Sequence, residues 1–165
     1  MIYKGYSKRI LAVLVAGLFL LSGCNQLQPL NEKQKQQIKL EIETVFNDLV
    51  DAARALDTQA YFAFFDQEKF VGLNEDGSNW NNFAELAQLI TPGFAAVKQI
   101  NSLTFPNVTI SVIDEHTAIL VNQFKQNLTL HDETVIDVAG GGTQVWSNHS
   151  GQWKLVSVSA SSAAE

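Results

Sequence analysis

Residues 134–161, TVIDVAGGGTQVWSNHSGQWKLVSVSAS, decide the fold. Two runs rich in β-formers, Thr134–Ser147 and Gln152–Ser161, flank Asn148-His149-Ser150-Gly151. That cluster of turn residues makes the pair an antiparallel hairpin. Three consecutive glycines, Gly140 to Gly142, lie inside the first strand. A strand without side chains at that point can bend sharply. Toward the N-terminus, His131-Asp132-Glu133 makes another turn, Thr117–Leu130 a long amide-rich strand, and Asp114-Glu115-His116 the turn before it. Ser102–Ile113 is a further strand, broken by Pro106-Asn107 at what reads as a bulge.

Upstream the hydrophobic period changes. Ile38, Ile42, Val45, Phe46, Leu49, Ala53 and Leu56 recur at spacings of three and four, which marks the apolar face of a helix from about Glu32 to Leu56. Asp57 reads as the N-cap of a shorter helix, Thr58–Asp66, aromatic enough to expect burial on more than one side. Phe70–Leu73 is a short strand and Asn74–Gly77 a turn. Asn79 then caps a third helix, Trp80–Ile90, and Thr91-Pro92 predicts a kink or restart that carries it to about Val97. Three N-terminal helices followed by strands joined through tight turns describe an α+β domain. Its helices pack on one face of a strongly curved antiparallel sheet.

The N-terminus is of another kind. Lys4, Lys8 and Arg9 precede an apolar run, Ile10–Leu21, and then Ser22, Gly23 and Cys24. A basic stretch, a short apolar core and small residues describe an export signal. The run is short for a membrane span of ~20 residues, and the alternative is an uncleaved N-terminal anchor. Leu21-Ser22-Gly23-Cys24 resembles the lipobox of bacterial lipoproteins, whose cysteine is acylated and becomes the first residue of the mature chain. The chain would then divide into a signal (1–23), a lipidated Cys24 with a polar tether (24–31) and one domain (32–165). Several acyl chains, at ~0.8 kcal/mol per buried CH₂, make a stable membrane anchor. Asn25 follows the cysteine, where lipoproteins kept in the inner membrane often carry Asp, so the expected location is the outer membrane, facing the periplasm. Cys24 is the only cysteine, which leaves no internal disulfide. Loss of the three signal cations takes the net charge from −6 to −9. A surface that acidic argues against nucleic acid and anionic headgroups.

Three segments carry a second resemblance. They are the long helix followed by Asp57 and an aromatic helix, then Phe70-Val71-Gly72-Leu73 leading through Asp76-Gly77 toward Trp80, and Gly142-Thr143-Gln144-Val145-Trp146 with Gly151-Gln152-Trp153-Lys154-Leu155-Val156. In this order they resemble the NTF2-like superfamily, and within it SnoaL-like and DUF4440-type proteins, over about residues 38–161. The resemblance implies a cone-shaped fold with a pocket at its wide end and frequent dimerisation through the sheet. It implies no single activity, because relatives include isomerases, cyclases, dehydratases, ligand binders and interaction modules.

Candidate site residues are few. All three histidines, His116, His131 and His149, fall in turns, far apart in sequence and without metal-ligand spacing. Many SnoaL-like relatives carry histidines on the last strand; Ser157 and Ser159 stand at those positions here. Alternation places them on one face with Trp153 and Leu155. Asp137, between Ile136 and Val138, is the candidate general base. A buried carboxylate there would hold a raised pKa; the opposite parity puts it in solvent, which the disturbing glycine run favours. Tyr61, Trp80, Phe83 and Trp146 either line an apolar pocket or pack the core. Asn122, Gln126 and Gln144 need partners if they face inward. No cofactor or metal motif is present in the sequence. The reading that follows is a lipid-anchored domain binding a small apolar or amphipathic molecule, or a protein partner, without catalysis. The alternatives are a SnoaL-like isomerase, dehydratase or cyclase using Asp137, and a structural homodimer.

Overall fold

The computed structural model describes residues 29–163. The expected export signal, Cys24 and the first part of the expected tether lie outside the described residues. Asn31 opens helix α1 (Glu32–Arg54) with a reciprocal cap, its side chain accepting from Gln34 N while the Gln34 side chain accepts from Asn31 N. The face predicted from periodicity is the buried one: Ile38, Ile42, Phe46 and Leu49 all enter the core. The helix ends at Ala55, Leu56 turns left-handed (φ 54°), and Asp57 Oδ1 caps helix α2 by accepting from Ala60 N at 2.9 Å.

Helix α2 (Thr58–Phe62) is shorter than expected and none of its residues is fully buried. Its aromatics instead reach sideways to Phe65 and to the third helix. Strands β1 (Val71–Leu73) and β2 (Asn79–Trp80) form a small hairpin across the Asn74–Gly77 turn. Trp80 therefore sits in a strand, paired with Gly72, and not in a helix. Helix α3 starts later, at Phe83, because Asn82 and not Asn79 supplies the cap, accepting from Glu85 N at 3.0 Å. It runs unbroken to Ala96 through Pro92, where a restart was expected. Pro92 and Gln88 are both exposed, so water can reach the Gln88 carbonyl that proline leaves without a donor.

The next strand, β3 (Val97–Asp114), follows α3 with no loop and is longer than predicted. Its register slips between Thr104 and Asn107, the bulge signalled by Pro106. Strands β4 (Thr117–Leu130), β5 (Val135–Ser147) and β6 (Lys154–Ser162) complete a curved six-stranded sheet in the order β2-β1-β6-β5-β4-β3. The sheet is not wholly antiparallel, since β1 runs parallel to β6, with Val71, Gly72 and Leu73 opposite Ser157, Val158 and Ser159.

Residues paired across strands share a face. The inner face carries Ala118, Leu120 and Asn122 of β4, with Trp146, Gln144 and Gly142 opposite them on β5. Against it pack α1 and the aromatic helices, around Ile42, Phe70, Leu120, Trp146 and Leu155, all under 2% exposed. The outer face carries Lys125, Asn127 and Thr129 opposite Ala139, Asp137 and Val135.

Candidate functional site

A bulge decides where the last-strand serines go. On β6, Leu155 pairs with Trp146 but Ser157 pairs with Val145, so Val156 is an extra residue. Beyond the bulge the parity reverses. Ser157 and Ser159 therefore lie on the outer face, opposite Val145 and Thr143, and not on the face of Leu155. Val158 takes the inward position.

The aromatic candidates divide into two groups. Trp80 and Trp146 are core residues, 9% and 0% exposed. The Trp146 indole N–H donates to Gln144 Oε1 at 3.1 Å, so these two inward polar groups satisfy each other. Tyr61 and Phe83 belong to a half-buried cluster. Tyr61 lies 5.3 Å from Phe65 and 5.2 Å from Phe94 of α3, and Phe83 lies 5.1 Å from Phe62. Burial pushes the Tyr61 phenol up to about 12.

Asn122 is the one polar side chain among the buried described residues. Its Oδ1 lies 3.6 Å from where a Cβ on Gly142 would stand, and Val108 of β3 is its partner on the other side. Val108 opens onto a cleft of about 620 Å³ between α1 and β3. Phe46, Val50, Phe105, Val108 and Ile110 supply its apolar lining, and Lys39, Glu43, Asn47, Arg54 and Thr109 its polar lining. The Phe46 and Phe105 rings meet edge to face at 5.0 Å. Arg54 fixes one end of the cleft, donating from Nη2 to Leu103 O and from Nη1 to Asp51. Sequence reasoning assigned Phe46 to a helix face and missed this site. The available signal was Phe105 and Val108 straddling Pro106-Asn107 instead of alternating.

Asp137 is exposed on the outer face. Its Oδ1 accepts from Asn127 Nδ2 at 2.8 Å, and Asn127 Oδ1 accepts in turn from Asn101 Nδ2 at 2.6 Å. It borders a groove of about 480 Å³ with Lys125, Val138 and Ser162. The sheet thus separates Asp137 from Tyr61 and Phe83. Three described acids have a lowered pKa and all lie away from both grooves: Glu32 at the start of α1, held by Lys35, and two turn residues, Asp76, held by the Ser78 hydroxyl, and Asp132, held by the Thr134 N–H.

A family model described as a SnoaL-like domain matches residues 42–165. No curated protein matches the chain. Among solved structures, a Novosphingobium aromaticivorans protein provisionally named a scytalone dehydratase is similar with a TM-score of 0.72 at 12% identity, covering 80% of this chain and 88% of that one. A Salmonella enterica NTF2-like superfamily protein gives 0.65 at 16%, covering 81% and 93%. The association domain of C. elegans CaMKII gives 0.62 at 20%, covering 79% and 99%. At these identities the likeness is one of fold.

Proposed function

The chain belongs to the SnoaL-like domain family, with the NTF2-like fold, and we propose that it is a lipid-anchored envelope protein whose domain holds a small apolar or amphipathic molecule without transforming it. The cleft between α1 and β3 carries the proposal. Its five apolar and five polar or charged lining residues suit an amphipathic ligand. Its size falls within the ~300–1,000 Å³ usual for small-molecule sites. Anchoring rests on the basic start, the apolar run and the lipobox Leu21-Ser22-Gly23-Cys24, with Asn25 favouring the outer membrane and the periplasmic side. The enzymatic alternative requires Asp137 as base, and the exposure of that carboxylate on the outer face counts against it.

A homodimer through the outer face is a second element of the reading. Val71, Leu73 and Val121 are 51%, 42% and 48% exposed there, and a structural relative is an association domain. The row Val121, Thr143, Ser159 and Leu73 crosses that face, so such a contact would mix apolar and hydroxyl side chains.

Native mass spectrometry of protein drawn from its own membranes tests the proposal. The expected spectrum shows acylated Cys24 as the first residue and a retained apolar molecule. Val108→Trp, at a position 40% exposed, fills the cleft and releases the molecule, while Cys24→Ser detaches the protein from the membrane and keeps it. An empty cleft in the lipidated wild type overturns the binding reading, and a chain beginning at Met1 overturns the anchor.

A further inference from the structure

Two hairpin turns distant in sequence meet at one end of the sheet. The β3–β4 turn carries Glu115 and His116; the β5–β6 turn carries Asn148 and His149. They are neighbours because Thr117 pairs with Ser147. The two imidazole rings lie 4.7 Å apart, tilted by 37°. Asn148 ties the turns together, its N–H donating to His116 O at 3.0 Å and its side-chain Nδ2 to Glu115 O at 3.4 Å.

That last bond orients the amide. With Nδ2 on the Glu115 carbonyl, Asn148 Oδ1 faces His116 Nδ1 at 2.6 Å. An amide oxygen only accepts, so Nδ1 carries a hydrogen, and it is Nε2 whose lone pair the neutral ring offers to a ligand. Nε2 lies 3.4 Å from Glu115 Oε1. In the neutral ring Nε2 is an acceptor beside the carboxylate, and a cation can bridge the two. The spacing accommodates a metal ion. Two ligands each ~2.1 Å from a tetrahedral ion stand about 3.4 Å apart.

We propose that Glu115, His116 and His149 form a surface site for a tetrahedral divalent ion of the zinc type, with Asn148 holding the His116 tautomer from behind. No three such donors converge yet among the described residues. The His149 ring is stacked beside His116 and closes the site by a side-chain rotation, inexpensive for an exposed ring. A nitrogen–nitrogen–carboxylate set leaves the fourth position to water.

Zn²⁺ titrated into the full chain carrying Cys24→Ser, which removes the only thiol, tests the site by imidazole NMR and calorimetry. One ion is expected per chain, shifting His116 and His149 and sparing His131. His116→Ala or His149→Ala should each weaken binding by on the order of 10-fold or more, with Asn148→Ala losing ~10-fold through orientation alone. His131→Ala should change nothing. Binding that survives both histidine variants, or a wild type whose His116 and His149 signals ignore Zn²⁺, overturns the proposal. A binding-competent wild type whose His149→Ala variant is unchanged overturns it as well.

Discussion

The indole N–H of Trp153 donates to Glu41 Oε2 at 2.9 Å, joining the first helix to the entry of the last strand. Trp153 is only 9% exposed, so removing its acceptor leaves a buried donor without a partner. Glu41→Ala should lower unfolding stability by roughly 1.5–3 kcal/mol, and Glu41→Gln, which keeps an acceptor oxygen, by clearly less. Urea midpoints of the two variants decide the matter; equal losses would mean that packing and not the hydrogen bond is at stake.

Tyr61 offers a spectroscopic reading of the aromatic cluster. Tyr3 and Tyr6 lie in the proposed signal, so a chain beginning at Cys24 would contain no other tyrosine. Its phenol is raised from 10.0 to about 12 by burial. Below pH 10 both folded and unfolded chains keep the proton and stability is fully present. Between pH 10 and about 12 the unfolded chain ionises first, and stability falls by up to about 3 kcal/mol. Phenolate absorbance should rise with a midpoint near 12, and Tyr61→Phe should flatten the alkaline loss of stability. A midpoint near 10 in the folded protein would refute the enclosure of this ring.

The glycine run makes an internal contrast. A Cβ on Gly140 would lie 2.1 Å from Ser161 O and 3.0 Å from the Phe124 ring, whereas one on Gly142 meets nothing nearer than Ser159 O at 3.4 Å. Gly140→Ala must push the end of β6 away, at a cost of about 1–3 kcal/mol or more, while Gly142→Ala should cost less than about 1 kcal/mol. Chemical denaturation of both variants side by side is the check; the reverse order would show that this stretch of β5 is misplaced.

The proposed dimer is tested at its centre. Val121 is 48% exposed and paired with Thr143 on the outer face. Val121→Asp should leave the secondary structure intact and shift sedimentation toward the monomer, because burying an unpaired carboxylate in a contact is costly. An unchanged sedimentation coefficient places any self-association elsewhere.

The hairpins, the α1 face and the Asp57 cap were legible in sequence because each rests on local chemistry: turn residues, a repeat of three and four, a side chain that reaches its own backbone. The faces of the late strands were not. One extra residue, Val156, reverses the outlook of Ser157 and Ser159, and no alternation rule reveals a bulge without the partner strand. Trp80 escaped for a similar reason. Its place opposite Gly72 depends on a pairing, whereas the rows of good helix formers after it suggested an earlier helix start. His116 and His149 looked unrelated, since only the β4–β5 register brings their turns together.

The parallel contact between β1 and β6 has a bearing on how the polypeptide matures. Val71–Leu73 precedes Ser157–Ser159 by most of the domain, so the first strand, held on one edge by Asn79–Trp80, waits for the final strand to cover the other. Closing so wide a loop comes late and slowly. Until then the little N-terminal hairpin is an open edge, exposed to any other extended chain nearby. A chain lacking Ser157–Ser159 would stay in that vulnerable state, which ties the protection of the first hairpin to the last strand.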